Sequence, residues 1–164
     1  MRTTALRLLL IIILVYPVFQ LNSEDQTTNY KEIAQYVTHV IAVGLGASLS
    51  KIQDEEQRIE FLRNFITPIR FYPDSTGYFY IYSYDNINIA HATQKELQGK
   101  DLSNYQDGHG NYVGKISCET AKNGGGFVEF YWQKPNDKTE YKKIGYVEPI
   151  PGTDYYIGTG VYLP

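Results

Sequence analysis

The chain is poor in the residues that usually advertise a chemistry. It has one cysteine, one tryptophan and one methionine, and its Lys+Arg count of 15 falls short of its 18 Asp+Glu. A lone Cys118 excludes an internal disulfide, so the fold must rest on an apolar core. An acidic balance argues against a nucleic-acid partner, because neutralising phosphates takes a basic face. No second histidine stands at ligand spacing from His91. His109 lies in a glycine turn, and Asp101-x-Ser103-x-Tyr105 lacks the pattern of a calcium loop. No metal and no other cofactor is expected.

Catalytic signals are equally thin. Cys118 falls in a helical stretch with no histidine nearby, and the acidic residues are scattered over turns and helix surfaces. Gly124-Gly125-Gly126 follows a helical pattern and precedes a strand, the reverse of a phosphate-cradling order. An enzyme is not expected. There is no internal repeat, and 164 residues suit one domain.

What is present begins with a leader. Arg2 and Arg7 precede the apolar run Leu8–Val15, Pro17 breaks it, and Asn22, Ser23, Glu24 and Asp25 close it. This is the layout of a secretory signal, and the run is shorter than the about 20 residues of a membrane span. Leu21-Asn22-Ser23 is a poor small-x-small site, so an uncleaved tether is the alternative. The division expected is a signal over 1–23 and one domain over 24–164. Loss of the leader takes Lys+Arg from 15 to 13 against 18 acidic residues, a net charge of −5.

Apolar positions at Tyr30, Ile33, Ala34, Val37, Val40, Ile41, Leu45, Leu49 and Ile52 step by threes and fours, which predicts one long amphipathic helix. Thr28 or Asn29 is placed to cap it. Gly44 and Gly46 suggest a close packing point or a kink. A second helix follows, opened by Asp54 with Gln57 three residues on, faced by Ile59, Leu62, Phe65 and Ile66, and stopped by Pro68.

The period then changes to two. Tyr78, Tyr80, Tyr82 and Tyr84 share one face of a strand, with Phe79 and Ile81 on the other. Asp85-Asn86 turns the chain into a second strand, Ile87–His91. A short helix is expected over Thr93–Gln98, a longer one over Val113–Lys122, and strands over Phe127–Gln133, Lys142–Glu148 and Tyr155–Tyr162. The class is α+β: an antiparallel sheet of about five strands with the long N-terminal helix packed across one face. The tyrosine face is left for loops and a pocket.

In order along the chain stand Ile69-Arg70-Phe71, Gly77-Tyr78-Phe79-Tyr80-Ile81-Tyr82, Ala90-His91-Ala92 and Leu97-Gln98-Gly99-Lys100-Asp101-Leu102. Gly124-Gly125-Gly126-Phe127-Val128, Tyr131-Trp132-Gln133-Lys134-Pro135, Lys142-Lys143-Ile144-Gly145-Tyr146-Val147 and Ile157-Gly158-Thr159-Gly160-Val161-Tyr162 follow. From about Asn29 to Tyr162 this series resembles the single Cache domain, type 2, of bacterial chemoreceptors and sensor kinases. The resemblance implies a PAS-like sheet behind a long helix and one pocket for a short carboxylate such as acetate, propionate, lactate or pyruvate. His91-Ala92 departs from the family's usual His-Pro. With the sequence ending at Pro164, the second membrane helix and signalling module of the receptors are not expected in this chain. It is expected to bind without signalling through a cytoplasmic part of its own.

Eight residues are candidates for the pocket. Arg70, between Ile69 and Phe71, would clamp a carboxylate through two parallel hydrogen bonds, or else pair internally with Asp74 or Asp85. Tyr78, Tyr80 and Tyr82 offer hydroxyls, with plain sheet packing as the alternative. His91 ends the second strand as a ligand group or a structural residue. Trp132 and Tyr146 rank above Lys143; regular alternation puts Lys143 and Tyr146 on opposite faces unless a bulge at Gly145 intervenes. The expected partners are a small organic acid and, beyond it, a membrane receptor or a second copy of the chain. The expected location is the periplasm or the exterior, free or tethered to the inner membrane. The rival reading is a ligand-free interaction protein acting through its tyrosines or its long helix.

Overall fold

The computed structural model describes residues 3–163, with side chains from 26 to 163. The expected leader, 1–23, therefore lies outside the residues described to side-chain level. Helix α1 spans Thr3–Leu49 and α2 spans Glu55–Ile66. Strands β1 (Tyr80–Ser83) and β2 (Asn88–His91) come next, then helix α3 (Val113–Lys122) and strands β3 (Gly126–Gln133), β4 (Glu140–Pro149) and β5 (Tyr155–Tyr162). The expected helix over Thr93–Gln98 is only a 3-10 turn, Lys95–Leu97. The five strands form one antiparallel sheet in the order β2-β1-β5-β4-β3.

α1 continues through Thr28 and Asn29, so neither caps it; no proline or glycine lies between positions 18 and 43 to stop the helix. Its inner stripe is Ala34, Thr38, Ala42, Leu45 and Leu49, all buried. Val40 is turned outward, 67% exposed, because the stripe that meets the sheet passes through Thr38 instead. Thr38 is satisfied locally: its hydroxyl donates to the Ala34 carbonyl at 2.7 Å. Gly46 marks the close approach, since a Cβ there would stand 2.6 Å from the Pro151 carbonyl oxygen, whereas a Cβ at Gly44 would meet nothing.

α2 opens as expected, with Asp54 Oδ1 accepting from the Gln57 N–H at 2.9 Å. Its buried side is Leu62 and Ile66, and the Arg63 guanidinium donates to the Ile89 carbonyl, tying it to β2. The β1–β2 turn is carried by Asn86 at φ 63°, a conformation asparagine tolerates better than most residues.

The unbroken β4 register decides which side chains share a face. Lys143 pairs with Phe130 and Tyr162, Gly145 with Val128 and Gly160, and Tyr146 with Phe127 and Thr159. No bulge interrupts the strand at Gly145, so Lys143 and Tyr146 point to opposite sides. α1 covers the Tyr146 side, where His39 Nδ1 meets Glu148 Oε1 at 2.7 Å. α3 and the segment after β2 cover the Lys143 side, and a cavity lies beneath them. Among the described residues no helix is long and apolar enough to cross a membrane.

Candidate ligand cavity

The cavity encloses about 360 Å³ of non-atom space, a figure that includes the open space at its mouth. Alternation delivers its floor. Tyr78, Tyr80 and Tyr82 enter from β1 and the residues before it, with His91 from β2. Phe130 and Trp132 come from β3, Lys143 from β4 and Tyr156 from β5. Leu102, Tyr105, Val113, Gly114 and Ser117 form the opposite wall. Among the described residues no aspartate or glutamate lines it.

Two glycines on β5 make this floor. A Cβ at Gly158 would stand 2.4 Å from the Tyr80 ring, and one at Gly160 would stand 2.9 Å from Lys143 Cε. Only bare backbone lets the tyrosine ring and the lysine stem lie so low on the sheet.

Lys143 is fully buried, and its Nζ has no hydrogen-bond partner among the described residues. It sits 4.0 Å from the Tyr78 ring centre, 4.7 Å from Tyr162 and 5.7 Å from Tyr80. Ring faces attract an ammonium, but they do not replace a hydrogen-bond acceptor. Burial accordingly lowers the Lys143 ammonium from its ordinary 10.5 to about 7.

The other polar groups divide into committed and free. The Tyr78 hydroxyl lies 3.2 Å from that of Tyr162, which itself donates to the Gln133 carbonyl. Tyr78 is therefore the donor to Tyr162, and its proton is spoken for. Tyr80 reaches the Thr159 carbonyl at a long 3.5 Å. The Tyr156 hydroxyl is buried with no partner among the described residues. His91 Nδ1 accepts from the Gln94 N–H at 3.0 Å, which leaves the ring proton on Nε2. Burial, with the nearby Lys143 and Arg70 charges, lowers its pKa to about 3, so the ring stays neutral. Gln94 also accepts from Trp132 Nε1 at 2.7 Å, holding the indole and the imidazole in one frame.

Six of the eight candidates thus meet at the cavity: Tyr78, Tyr80, Tyr82, His91, Trp132 and Lys143. Two do not. Tyr146 lies on the α1 side, edge-on to Phe127, and its placement above Lys143 is reversed by the unbroken register. Arg70 is exposed and donates to the Thr67, Ile69 and Ala92 carbonyls at 3.0, 2.6 and 2.8 Å. It is neither a clamp reaching into the cavity nor, among the described residues, an ion pair with Asp74 or Asp85. Thr67 is the C-cap of α2, and its carbonyl lacks an intrahelical partner; the guanidinium supplies one and joins this segment to the Ala92 carbonyl just after β2. Tyr156, Tyr105, Phe130 and Gln94 were not singled out from sequence. Tyr156 shares the parity of Gly158 and Gly160, and that pattern of small residues on one strand face was the available signal.

Residues 20–164 match the family model dCache_2, described as a Cache domain. Over 87 residues the chain is 37% identical to the sensor histidine kinase MctS of Rhizobium johnstonii, a match covering 53% of the chain and 19% of that kinase. The chain thus aligns with about a fifth of its curated relative. Among solved structures it superposes on a methyl-accepting chemotaxis protein from Vibrio parahaemolyticus with a TM-score of 0.72 and 25% identity, over 86% of this chain and 93% of that one. A Cache chemosensory domain solved for its carboxylic acid recognition gives the same TM-score and identity, over 86% and 98%.

Proposed function

The chain belongs to the Cache domain family, and on that premise we propose that it is an extracytoplasmic sensor module that captures a short organic acid as its carboxylate. One observation carries the reading: the buried Lys143 Nζ, without an acceptor, in a cavity that holds no acidic side chain. An anion repairs that deficit, and a hydrogen bond to a charged group contributes about 1.5–3 kcal/mol. The unpartnered Tyr156 hydroxyl is a second donor, and the Nε2 proton of His91 a third. The aromatic walls exclude water and strengthen each of these contacts. The carboxylic acid recognition of the similar Cache domain points the same way.

In this reading 1–23 directs export, 24–164 is the binding unit, and the domain works outside the cytoplasm, released or tethered. It binds and does not turn over its ligand. Burial keeps His91 neutral and pushes the Tyr78, Tyr80 and Tyr156 hydroxyls well above their ordinary range, which leaves the Lys143 amine, assigned here to the anion, as the cavity group that exchanges a proton near neutrality.

The test is a thermal-shift series at pH 6.5 with acetate, propionate, lactate and pyruvate. A ligand at 100 times its dissociation constant stabilises by about 2.7 kcal/mol. At least one of the four should raise the melting temperature. No shift with any of them at saturating concentration would remove the reading.

A second reading, association of the chain with a second copy, is favoured by an apolar stripe on the outer side of α1. Tyr36, Val40 and Val43 are 67%, 67% and 48% exposed and stand four and three residues apart. Sedimentation at increasing protein concentration tests it: a monomer throughout would end it.

A further inference from the structure

We propose that Lys143 couples anion capture to proton uptake, so that the cavity takes a carboxylate and one proton together. The inference rests on the carboxylate reading and adds to it how the site responds to its surroundings.

The geometry supplies the argument. Among the described residues, the groups lining the cavity around the Lys143 amine are neutral. Tyr78 and Tyr80 face it from the β1 side and Tyr162 from β5, each by its ring. His91 on β2 is held neutral, Tyr105 hydrogen-bonds outward to Glu140, and α3 contributes Ser117. Arg70 adds positive charge near His91 and spends its donors on backbone carbonyls. With no carboxylate to hold the ammonium, burial brings its pKa to about 7. A bound carboxylate is the missing counter-ion, and it holds the amine charged. Above neutrality the empty site is an amine and the filled site an ammonium, so binding draws a proton from solvent.

The sign follows directly. Below pH 7 the ammonium is already present and affinity is flat. Above pH 7 each unit of pH weakens apparent binding about tenfold, so affinity at pH 8 is about tenfold below that at pH 6. Occupancy then follows the product of anion and proton concentrations, which is proportional to the undissociated acid. An exported module with this site reports an acid together with the acidification that accompanies it.

His39 and His109 are the other two histidines of the chain, and neither lines the cavity. His39 pairs with Glu148 on the α1 side, and His109 stacks on Tyr131, which faces away from Phe130 and Trp132. Replacing both by glutamine should leave the pH slope in place.

The experiment is isothermal titration of the purified chain with acetate, propionate, lactate and pyruvate at pH 6, 7, 8 and 9, in HEPES and in Tris at pH 8. The expected result is an acid whose affinity is level from pH 6 to 7 and falls about tenfold per unit above that. At pH 8 its apparent heat should differ between the two buffers by close to one proton taken up. Binding with equal affinity at all four values and no buffer dependence would overturn the coupling and leave the carboxylate reading standing. A slope that vanishes in the double histidine variant would also overturn it. No heat with any of the four acids at any pH would overturn both.

Discussion

Gly158 lies against the face of Tyr80, so close that a Cβ on the glycine would stand 2.4 Å from the ring. The two are register partners across β5 and β1, and the contact sets the depth of the cavity floor. Gly158→Ala should push Tyr80 into the space above the sheet. Forced overpacking of this kind costs about 1–3 kcal/mol. Denaturant unfolding should show that loss, and carboxylate affinity should fall with it because the ring now occupies the cavity. An alanine variant of wild-type stability and affinity would show that the floor yields freely.

Arg70→Ala should leave ligand affinity within about threefold of wild type, because its guanidinium is committed to the Thr67, Ile69 and Ala92 carbonyls. Removing these bonds, which join the segment after α2 to the Ala92 carbonyl beyond β2, should cost about 1–2 kcal/mol, read as a lower denaturation midpoint. A variant that folds normally and has lost carboxylate binding would restore the clamp role that the sequence alone suggests.

His91 provides a pH signature in the fold itself. Its folded pKa is lowered from 6.5 to about 3. As pH falls through 6.5 the unfolded chain takes up a proton that the folded chain refuses. Stability is therefore lost progressively from pH 6.5 down to about 3, by a few kcal/mol in order of magnitude. The measurement is a series of denaturation curves between pH 6.5 and 4.5, above the range where carboxylates dominate. His91→Phe should flatten that stretch; an unchanged slope would assign it elsewhere.

Much of this was legible in the sequence. The switch to period two at Tyr78 put four tyrosines on one face, three of which line the cavity, and Val113–Lys122 and Tyr155–Tyr162 come out at their expected limits. The glycine run at 124–126 ends α3 as read, with Gly124 and Gly125 at positive φ. What failed did so for want of long-range information. Parity on β4 separated Lys143 from Tyr146 correctly, but which face carried the cavity depended on where α1 docked. Arg70 reads as buried between Ile69 and Phe71, whereas its long side chain turns outward to the helix end. Val40 fits the helical stripe, yet it stands on the side the sheet does not reach.

If Lys143 holds the ligand, Lys143→Met removes the contact that matters most. Methionine keeps the length and apolar stem while removing the unpartnered amine, so the empty fold should be as stable as wild type or gain up to about 4 kcal/mol. Wild type and variant should be titrated calorimetrically at pH 6.5 with whichever of acetate, propionate, lactate or pyruvate gives the largest thermal shift. The variant should fold and bind at least about 30-fold more weakly, the loss expected when one partner of a buried charge pair is removed. A folded Lys143→Met protein that binds the same acid with wild-type affinity would contradict that role for Lys143.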